Sequence, residues 1–368
     1  MNRFLSQKFR FYTFVSITLL LFVHSYNLQS TYLTPFSTVS EALTFTTFTE
    51  YFLSNGLLRF RIPMLFMISG YIFALQDYKP YPERIKRRFV SLIIPFLIWS
   101  AVNLAITYLW QQYPATAQAV KNANVDQLGD NRPYDQIGWA GVLFRWVVRP
   151  VSFQLWFIRS LFIYNILYPF IRWAVTKFPI IWFSIVLIFW HTIYSFLFIE
   201  GQGLFSFSLG IWLYKTSYPI HKKPSWFSGY LCWLFYIGLS IIKTFMAFEL
   251  EPGNTLNQVI IYLLYDISIS AGILSIWFTA DDAVRYFMEK KWFVWASSFS
   301  FIIFALHAPL LHYATNLAFI FFHQVPAYHL LTYFLVPVVI FFLCIGIGAF
   351  LRHLFPQVYK IATGKRGF

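Results

Sequence analysis

The chain has 368 residues, of which 58% are hydrophobic and only 11% charged. Soluble domains carry about 25% charged residues, so a water-solvated globule of this length is excluded. The net charge of +14 would suggest nucleic acid in a soluble protein. In a chain this apolar it reads instead as Lys and Arg held on the cytoplasmic side of a bilayer, with no nucleic-acid partner. A spanning helix needs about 20 mostly apolar residues. In chain order that ruler gives ten segments, at about 9–28, 57–76, 88–110, 153–172, 178–199, 203–216, 226–248, 257–280, 293–316 and 328–352. The first follows Arg3, Lys8 and Arg10 like a signal peptide, but no small-residue cleavage site precedes His24-Ser25-Tyr26-Asn27, so it is read as a retained helix. The sixth is short and contains Gly210. An outer loop at about 111–152 separates the third and fourth, and its end, 138–146, predicts a short amphipathic helix on the outer membrane surface.

With the N-terminus inside, ten spans return the C-terminus inside. The inner segments then hold 20 of the 28 basic residues. The outer side holds Lys121, Arg132, Arg145 and Arg149, and the spans hold Arg59, Arg61, Arg159 and Lys243. Dropping or adding one span would scramble that asymmetry. The expectation is therefore an all-α, polytopic transmembrane helix bundle of about ten spans with both termini cytoplasmic, in the cell membrane. It forms one domain over 1–368, with a short cytoplasmic tail at 353–368. Cys232 and Cys344 lie inside apolar runs and offer no disulfide framework or CxxC site.

Ionisable side chains inside a membrane are expensive, which makes them functional candidates. His24, Arg59, Arg61, Arg159, His191, Lys243, Asp266 and His307 fall within the spans. At 1.5 Å per residue His24 stands about 22 Å up its helix, and all but Asp266 compute to the outer half. Such crowding suggests a polar cavity near the outer face. Alternatively, Arg59, Arg159 and Lys243 are close enough to span ends to snorkel to headgroups, and His191 and His307 can bond to a neighbouring helix. His307 and His312 are five residues apart, about 500° on a continuous helix, which sends the rings to different faces and makes a poor metal site. The run Glu83-Arg84-Ile85-Lys86-Arg87-Arg88 is either a positive-inside anchor or a docking surface for an anionic cytoplasmic donor. Pro95 should kink the third span.

Four segments carry a family resemblance. They are the opening span ending in Phe22-Val23-His24-Ser25; Arg59-Phe60-Arg61-Ile62-Pro63-Met64-Leu65-Phe66-Met67-Ile68-Ser69-Gly70-Tyr71, followed by Lys86-Arg87-Arg88 and Ile94-Pro95-Phe96; Leu155-Trp156-Phe157-Ile158-Arg159-Ser160; and Ser297-Ser298-Phe299-Ser300-Phe301, running on to Leu306-His307. Together, in order across the core at 9–316, they resemble the integral-membrane acyltransferase family 3, which includes O-antigen and peptidoglycan O-acetylases. The resemblance implies transfer of an acyl group, usually acetyl, from acyl-CoA as donor substrate to a hydroxyl of a carbohydrate or cell-envelope glycan, with no bound cofactor and no metal. It implies His24 as the catalytic His, with Arg59 and Arg61 on the anionic donor or the oxyanion. Arg10, Ser69, Arg87, Arg88, Trp156, Arg159 and His307 are the implied donor- or substrate-binding residues. One departure stands out: the family carries Arg or Lys eleven residues before the His, where this chain has Thr13. Arg10, three residues earlier, shares that face of the helix. The competing reading is a transporter or flippase for a polysaccharide or lipid-linked sugar. Such a bundle would use the same outer cavity, although no matching pair of interrupted helices supports it.

Overall fold

Helix dominates because the chain must satisfy its backbone polar groups internally wherever lipid surrounds it. The structure is a computed structural model that describes residues 2–28, 33–125 and 132–367. Of the polar middle of the outer loop, residues 126–131 lie outside the described residues. The helices, in order, are α1 (Arg3–His24), α2 (Phe45–Tyr51), α3 (Arg61–Leu75), α4 (Tyr81–Arg88), α5 (Ile94–Trp110), α6 (Pro114–Ala123), α7 (Gly138–Val147), α8 (Trp156–Lys177) and α9 (Pro179–Thr192). A two-residue hairpin, β1 (Ser195–Phe196) with β2 (Ile199–Glu200), leads to α10 (Gly201–Lys215). Then follow α11 (Gly229–Glu249), α12 (Thr255–Thr279), α13 (Asp281–Glu289), α14 (Lys291–Ser297), α15 (Ser300–Phe322), α16 (Tyr328–Leu354) and α17 (Pro356–Ala362).

Among the described residues six helical stretches are long and apolar enough to cross a membrane: Phe45–Leu75, Tyr81–Trp110, Gly229–Glu249, Thr255–Thr279, Ser300–Phe322 and Tyr328–Leu354. They coincide with the second, third and last four of the ten expected segments, so the chain is an all-α, multi-pass membrane protein. The remaining four differ. α1 and α8 are each 22 residues but carry charged side chains, including Lys8 and Arg172. α9 and α10 have 14 and 15 residues, about 21 and 23 Å, shorter than a hydrocarbon core of about 30 Å. The fifth segment ends at Thr192 rather than 199, because Tyr194 and Leu197 take left-handed backbone and turn the hairpin. The ninth is divided, α14 stopping at Ser297 before α15 begins at Ser300. The amphipathic helix forms as α7. It folds back along α5: Trp146 Nε1 donates to Leu97 O (2.8 Å) and Ser100 Oγ to Trp146 O (2.5 Å), both in the first two turns of α5.

Two joints hold the end of the bundle where α3 stops. Asp77, just past α3, accepts from Arg84 Nη1 and Tyr168 Oη at 2.7 Å each, and Arg172 (3.3 Å) and Lys215 crowd its second oxygen. Burial alone would raise the Asp77 carboxyl, but hydrogen bonds from Lys215 and Tyr168, with the charges of Lys215 and Arg172, more than offset it and hold the group below the usual carboxylate range. A depressed folded-state value means that this stabilisation is present above the unfolded carboxyl range and is lost as pH falls through the folded one. Asp77→Asn should therefore cost about 1–3 kcal/mol at neutral pH. It should also remove this contribution to acid destabilisation, checked by thermal unfolding of both proteins between neutral pH and pH 3. The second joint is Lys8, fully buried, whose Nζ donates to Asp281 Oδ1 at 2.6 Å and stands over the Trp277 ring at 4.7 Å.

The high aromatic content acquires a structural use in the helix seams. Phe66 of α3 packs at 4.5 Å from Phe157 and 5.4 Å from Tyr164 of α8. Tyr12 stacks on Trp277 at 5.2 Å, and Phe11 on Phe293 at 5.5 Å. Offset and edge contacts of this kind add to simple burial.

Candidate active site

His24, the last residue of α1, is half-buried against α15. Its ring stacks on His307 (centroids 5.5 Å, 26° between planes), lies 6.4 Å from His312, and meets the edge of Phe153 at 4.9 Å. The 500° argument fails for His307 and His312 because α15 is not one continuous helix. Ala308, at φ −110° and ψ 135°, interrupts it ahead of Pro309 and resets the angular phase between the two rings. Pro309 has no N–H to give the carbonyl one turn back, and buried backbone groups need partners. Asn103 Nδ2 supplies one to Ala305 O at 2.9 Å; Gln154 Nε2 reaches Ala305 O at 3.2 Å and Ala308 O at 2.8 Å. Both amides are buried. They hold the break, and through it the three imidazoles. His307 Nδ1 faces Ile303 O at 2.9 Å. A carbonyl can only accept, so Nδ1 carries the hydrogen and the neutral ring keeps its Nε2 lone pair. That Nε2 is buried with no partner among the described residues.

The two arginines come from the junction of α2 and α3. A π-helical turn over Phe52–Leu57 interrupts the regular ladder, the kind of bulge that frees carbonyls and re-aims side chains. Fully buried Lys243 donates to Asn55 O at 2.7 Å, Tyr236 Oη bonds to Leu57 O, and Arg61 Nε bonds to Leu58 O. Arg61 is 2% exposed, and its Nη1 has no partner among the described residues. Arg59 anchors on Leu33 O. The charges of both arginines act on His24. Lys243 therefore braces the turn that sets Arg59 and Arg61, rather than snorkelling.

Below this cluster opens a cavity of about 650 Å³. Its head is apolar, lined by Ile17, Leu65, Phe157 and Phe304, and Phe304 is 6.4 Å from the His307 ring. Ser69 lines its wall. Its mouth carries four guanidinium groups: Arg10, Arg88, Arg352 and Arg366. Arg10 is held by Ser297 Oγ (2.9 Å) and Val294 O (2.5 Å) on α14, so it occupies the cavity although Thr13 takes the position one turn higher. Arg352 donates to Ser298 Oγ at 2.8 Å, and Arg366 stands 4.7 Å over Phe301. Among the described residues none of the four is paired with a carboxylate. Burial, and then the charge of Arg88, lower the Arg366 guanidinium to about 10, still protonated at neutral pH. Arg10 and His24 are fourteen residues apart on α1, about 21 Å along the axis.

Of the residues singled out from the sequence, His24, His307, Arg59 and Arg61 form one cluster, and Arg10, Ser69 and Arg88 line the cavity beneath it. Three lie elsewhere. Arg87 is exposed and paired with Glu83 at 2.6 Å. Trp156 packs 6.1 Å from Phe66 in the core. Arg159 bonds to Val148 O and covers the Phe198 ring at 3.9 Å. His191 and Asp266 form their own pair at 2.5 Å. His312, Asn103, Gln154, Arg352 and Arg366 were not singled out as site residues. Pro309 was the available signal for His312, and the glycines around Arg366 for the tail. On the far side of the histidines a polar pocket of about 340 Å³ is lined by Gln111, Gln118, Lys121, Asn124, Arg132 and Tyr313, the last adjacent in sequence to His312.

A family described as "Acyltransferase domain" matches residues 14–353. The chain is 25% identical over 328 residues to the Succinoglycan biosynthesis protein ExoH of Rhizobium meliloti (strain 1021), covering 86% of this chain and 81% of that protein. No solved structure matches.

Proposed function

This chain belongs to the acyltransferase family whose match spans residues 14–353, and on that premise we propose that it moves an acyl group, acetyl in the simplest case, from acyl-CoA to a hydroxyl of a cell-envelope polysaccharide. The polysaccharide is suggested by the similarity to a succinoglycan biosynthesis protein. The observation that carries the reading is the axial order of the site: a mouth of four arginines, an apolar neck, a histidine cluster and, beyond it, a polar pocket. A phosphate-rich donor suits the first. An extended thioester arm suits the distance of about 21 Å along α1 from Arg10 to His24. A sugar suits the amides and Tyr313 of the last.

In this mechanism His24 takes the proton of the acceptor hydroxyl as the oxygen attacks the thioester carbonyl. The tetrahedral oxyanion forms beside Arg61, whose buried Nη1 is the donor left over for it. Collapse breaks the C–S bond, and the departing thiolate recovers the proton from His24. His307 Nε2 is an acceptor placed beside the His24 ring.

The topology proposed with it counts α1, α8, α9 and α10 as further spans, ten in all, with both termini cytoplasmic in the plasma membrane. Arg10 near one end of the chain and Arg366 near the other line the same cavity mouth, which supports termini on one side. The test is purified protein in lipid nanodiscs with acetyl-CoA and envelope glycan. Free thiol should appear only when both substrates are present, and mass spectrometry should find acetyl esters on the glycan. Glycan acetylation unchanged in a deletion strain, with no acceptor-dependent thiol release, would exclude the transferase reading and leave the transporter.

A further inference from the structure

Residues 354–368 lie beyond the family match, which ends at 353, yet the described part of this segment is folded against the bundle. After α16 the chain reverses at Phe355, and α17 runs back under α5, where buried Trp99 donates its Nε1 hydrogen to Ala362 O at 2.8 Å. Buried Thr363 then closes the turn, its Oγ1 hydroxyl donating toward Tyr359 O at 2.8 Å and Arg366 O at 2.9 Å. Two glycines fit the segment into its seat. Gly364, at φ +60°, passes so close to Ser91 that a Cβ would come within 2.6 Å of its carbonyl oxygen. Gly367, at φ +78°, would bring one within 2.3 Å of Ser298 O. The result is that Arg366 and Gly367 become part of the cavity wall, and Gly367 O receives the Arg352 guanidinium at 3.2 Å.

We propose that this C-terminal segment completes the donor site, Arg366 together with Arg352 binding the phosphates of the nucleotide half of acyl-CoA at the cavity mouth. The inference rests on the acyl-CoA reading above. A planar guanidinium with two adjacent N–H donors matches a phosphate bidentately. Arg366 is held by a single weak bond to Thr363 O at 3.4 Å and by the face of Phe301, which leaves most of its five donors for a ligand. Among the described residues the four like charges are gathered without a carboxylate; they repel one another, and an anionic ligand relieves that repulsion. The chemistry is thus that of a multiply phosphorylated nucleotide, not of the neutral pantetheine arm, which would occupy the apolar neck.

The experiment compares two donors on the full-length protein in nanodiscs: acetyl-CoA, and acetyl-pantetheine, which keeps the thioester and lacks every nucleotide phosphate. Losing a charge-assisted contact should lower kcat/KM for acetyl-CoA in Arg366→Gln by about 10–100-fold, mostly through KM. Turnover of acetyl-pantetheine should stay at the wild-type level, and Arg366→Lys should recover part of the loss with acetyl-CoA. Truncation after Phe355 should behave like Arg366→Gln toward the two donors if the bundle keeps its thermal unfolding midpoint. An unchanged KM for acetyl-CoA in Arg366→Gln would overturn the assignment, as would equal losses with both donors, which would mean that the tail only braces the fold. Absence of transfer from either donor in the wild type would instead overturn the acyl-CoA reading, and the assignment with it.

Discussion

His24→Ala should leave a folded, membrane-inserted protein with acyl transfer reduced by about 10³-fold or more, measured as acceptor-dependent thiol release from acetyl-CoA. General base catalysis alone is typically worth about 10²–10⁴-fold, and no other described group is placed to replace it from α1. His24 is half-buried at the C-terminal end of its helix, so truncation removes one edge contact with Phe153 and one stacked face of His307 without opening the core. The thermal midpoint should therefore move little, and the separation of activity from stability is what identifies a chemical role. His307→Gln keeps the volume and loses the imidazole, and should cost about 10²-fold. If His307→Gln proved the more damaging of the two, the base would have to be reassigned to His307. Retention of more than a tenth of wild-type activity by His24→Ala would sink the mechanism.

The physical support for His24 extends well beyond its neighbours in sequence. The break at Ala308 brings His307 and His312 to the same side of α15, and Asn103 and Gln154, from α5 and the turn before α8, pin the carbonyls exposed there. On the other flank the π-helical turn aims Arg61 inward, and Lys243 of α11 holds it through Asn55 O. Five helices thus converge on two local departures from regular α-helix. Such departures cost stability, and they survive only where the surrounding structure over-determines them.

The amphipathic stretch 138–146 did form a helix, because local pattern decides local structure. Its placement along α5 did not follow, since it depends on Trp146 finding a carbonyl on another helix. The list of eight costly intramembrane residues contained His24, His307, Arg59 and Arg61, which the fold brings together, because each needs a polar neighbour. It could not say that Arg159 would clip onto Val148 or that His191 would take Asp266. His312 was lost by treating α15 as unbroken, although Pro309 was in plain view. Arg352 and Arg366 were read as flanking charge because positive-inside counting treats every basic residue beyond a span alike. Left-handed backbone at Gly364, Lys365 and Gly367 returns Arg366 to the cavity, and Gly-Lys-Arg-Gly was the trace of it in the sequence.

The short, glycine-containing α10 looked like the weakest span, and it should prove the least tolerant of substitution. Gly70 of α3 and Gly210 of α10 face each other's backbones. A Cβ on Gly70 would fall 2.1 Å from Phe207 O, and one on Gly210 would fall 2.0 Å from Met67 O and 2.8 Å from Tyr71 N. Small residues at such crossings let helices approach closely enough for dispersion and carbonyl contacts to hold them where lipid supplies no hydrophobic drive. Overpacking a core costs about 1–3 kcal/mol when side chains can give way; here the obstacle is a carbonyl on a rigid helix, so the helices must separate. Gly210→Ala should lower the thermal midpoint by several degrees, and Gly210→Leu should prevent accumulation of folded protein in membranes. The same separation carries α3, with Arg61 at its start and Ser69 on its cavity face. For that reason Gly210→Ala should also lose transfer activity out of proportion to its loss of stability, with Gly238→Ala, where a Cβ meets nothing within 4 Å, as the matched control. A Gly210→Leu protein with wild-type melting and turnover would show that α3 and α10 do not pack at this distance.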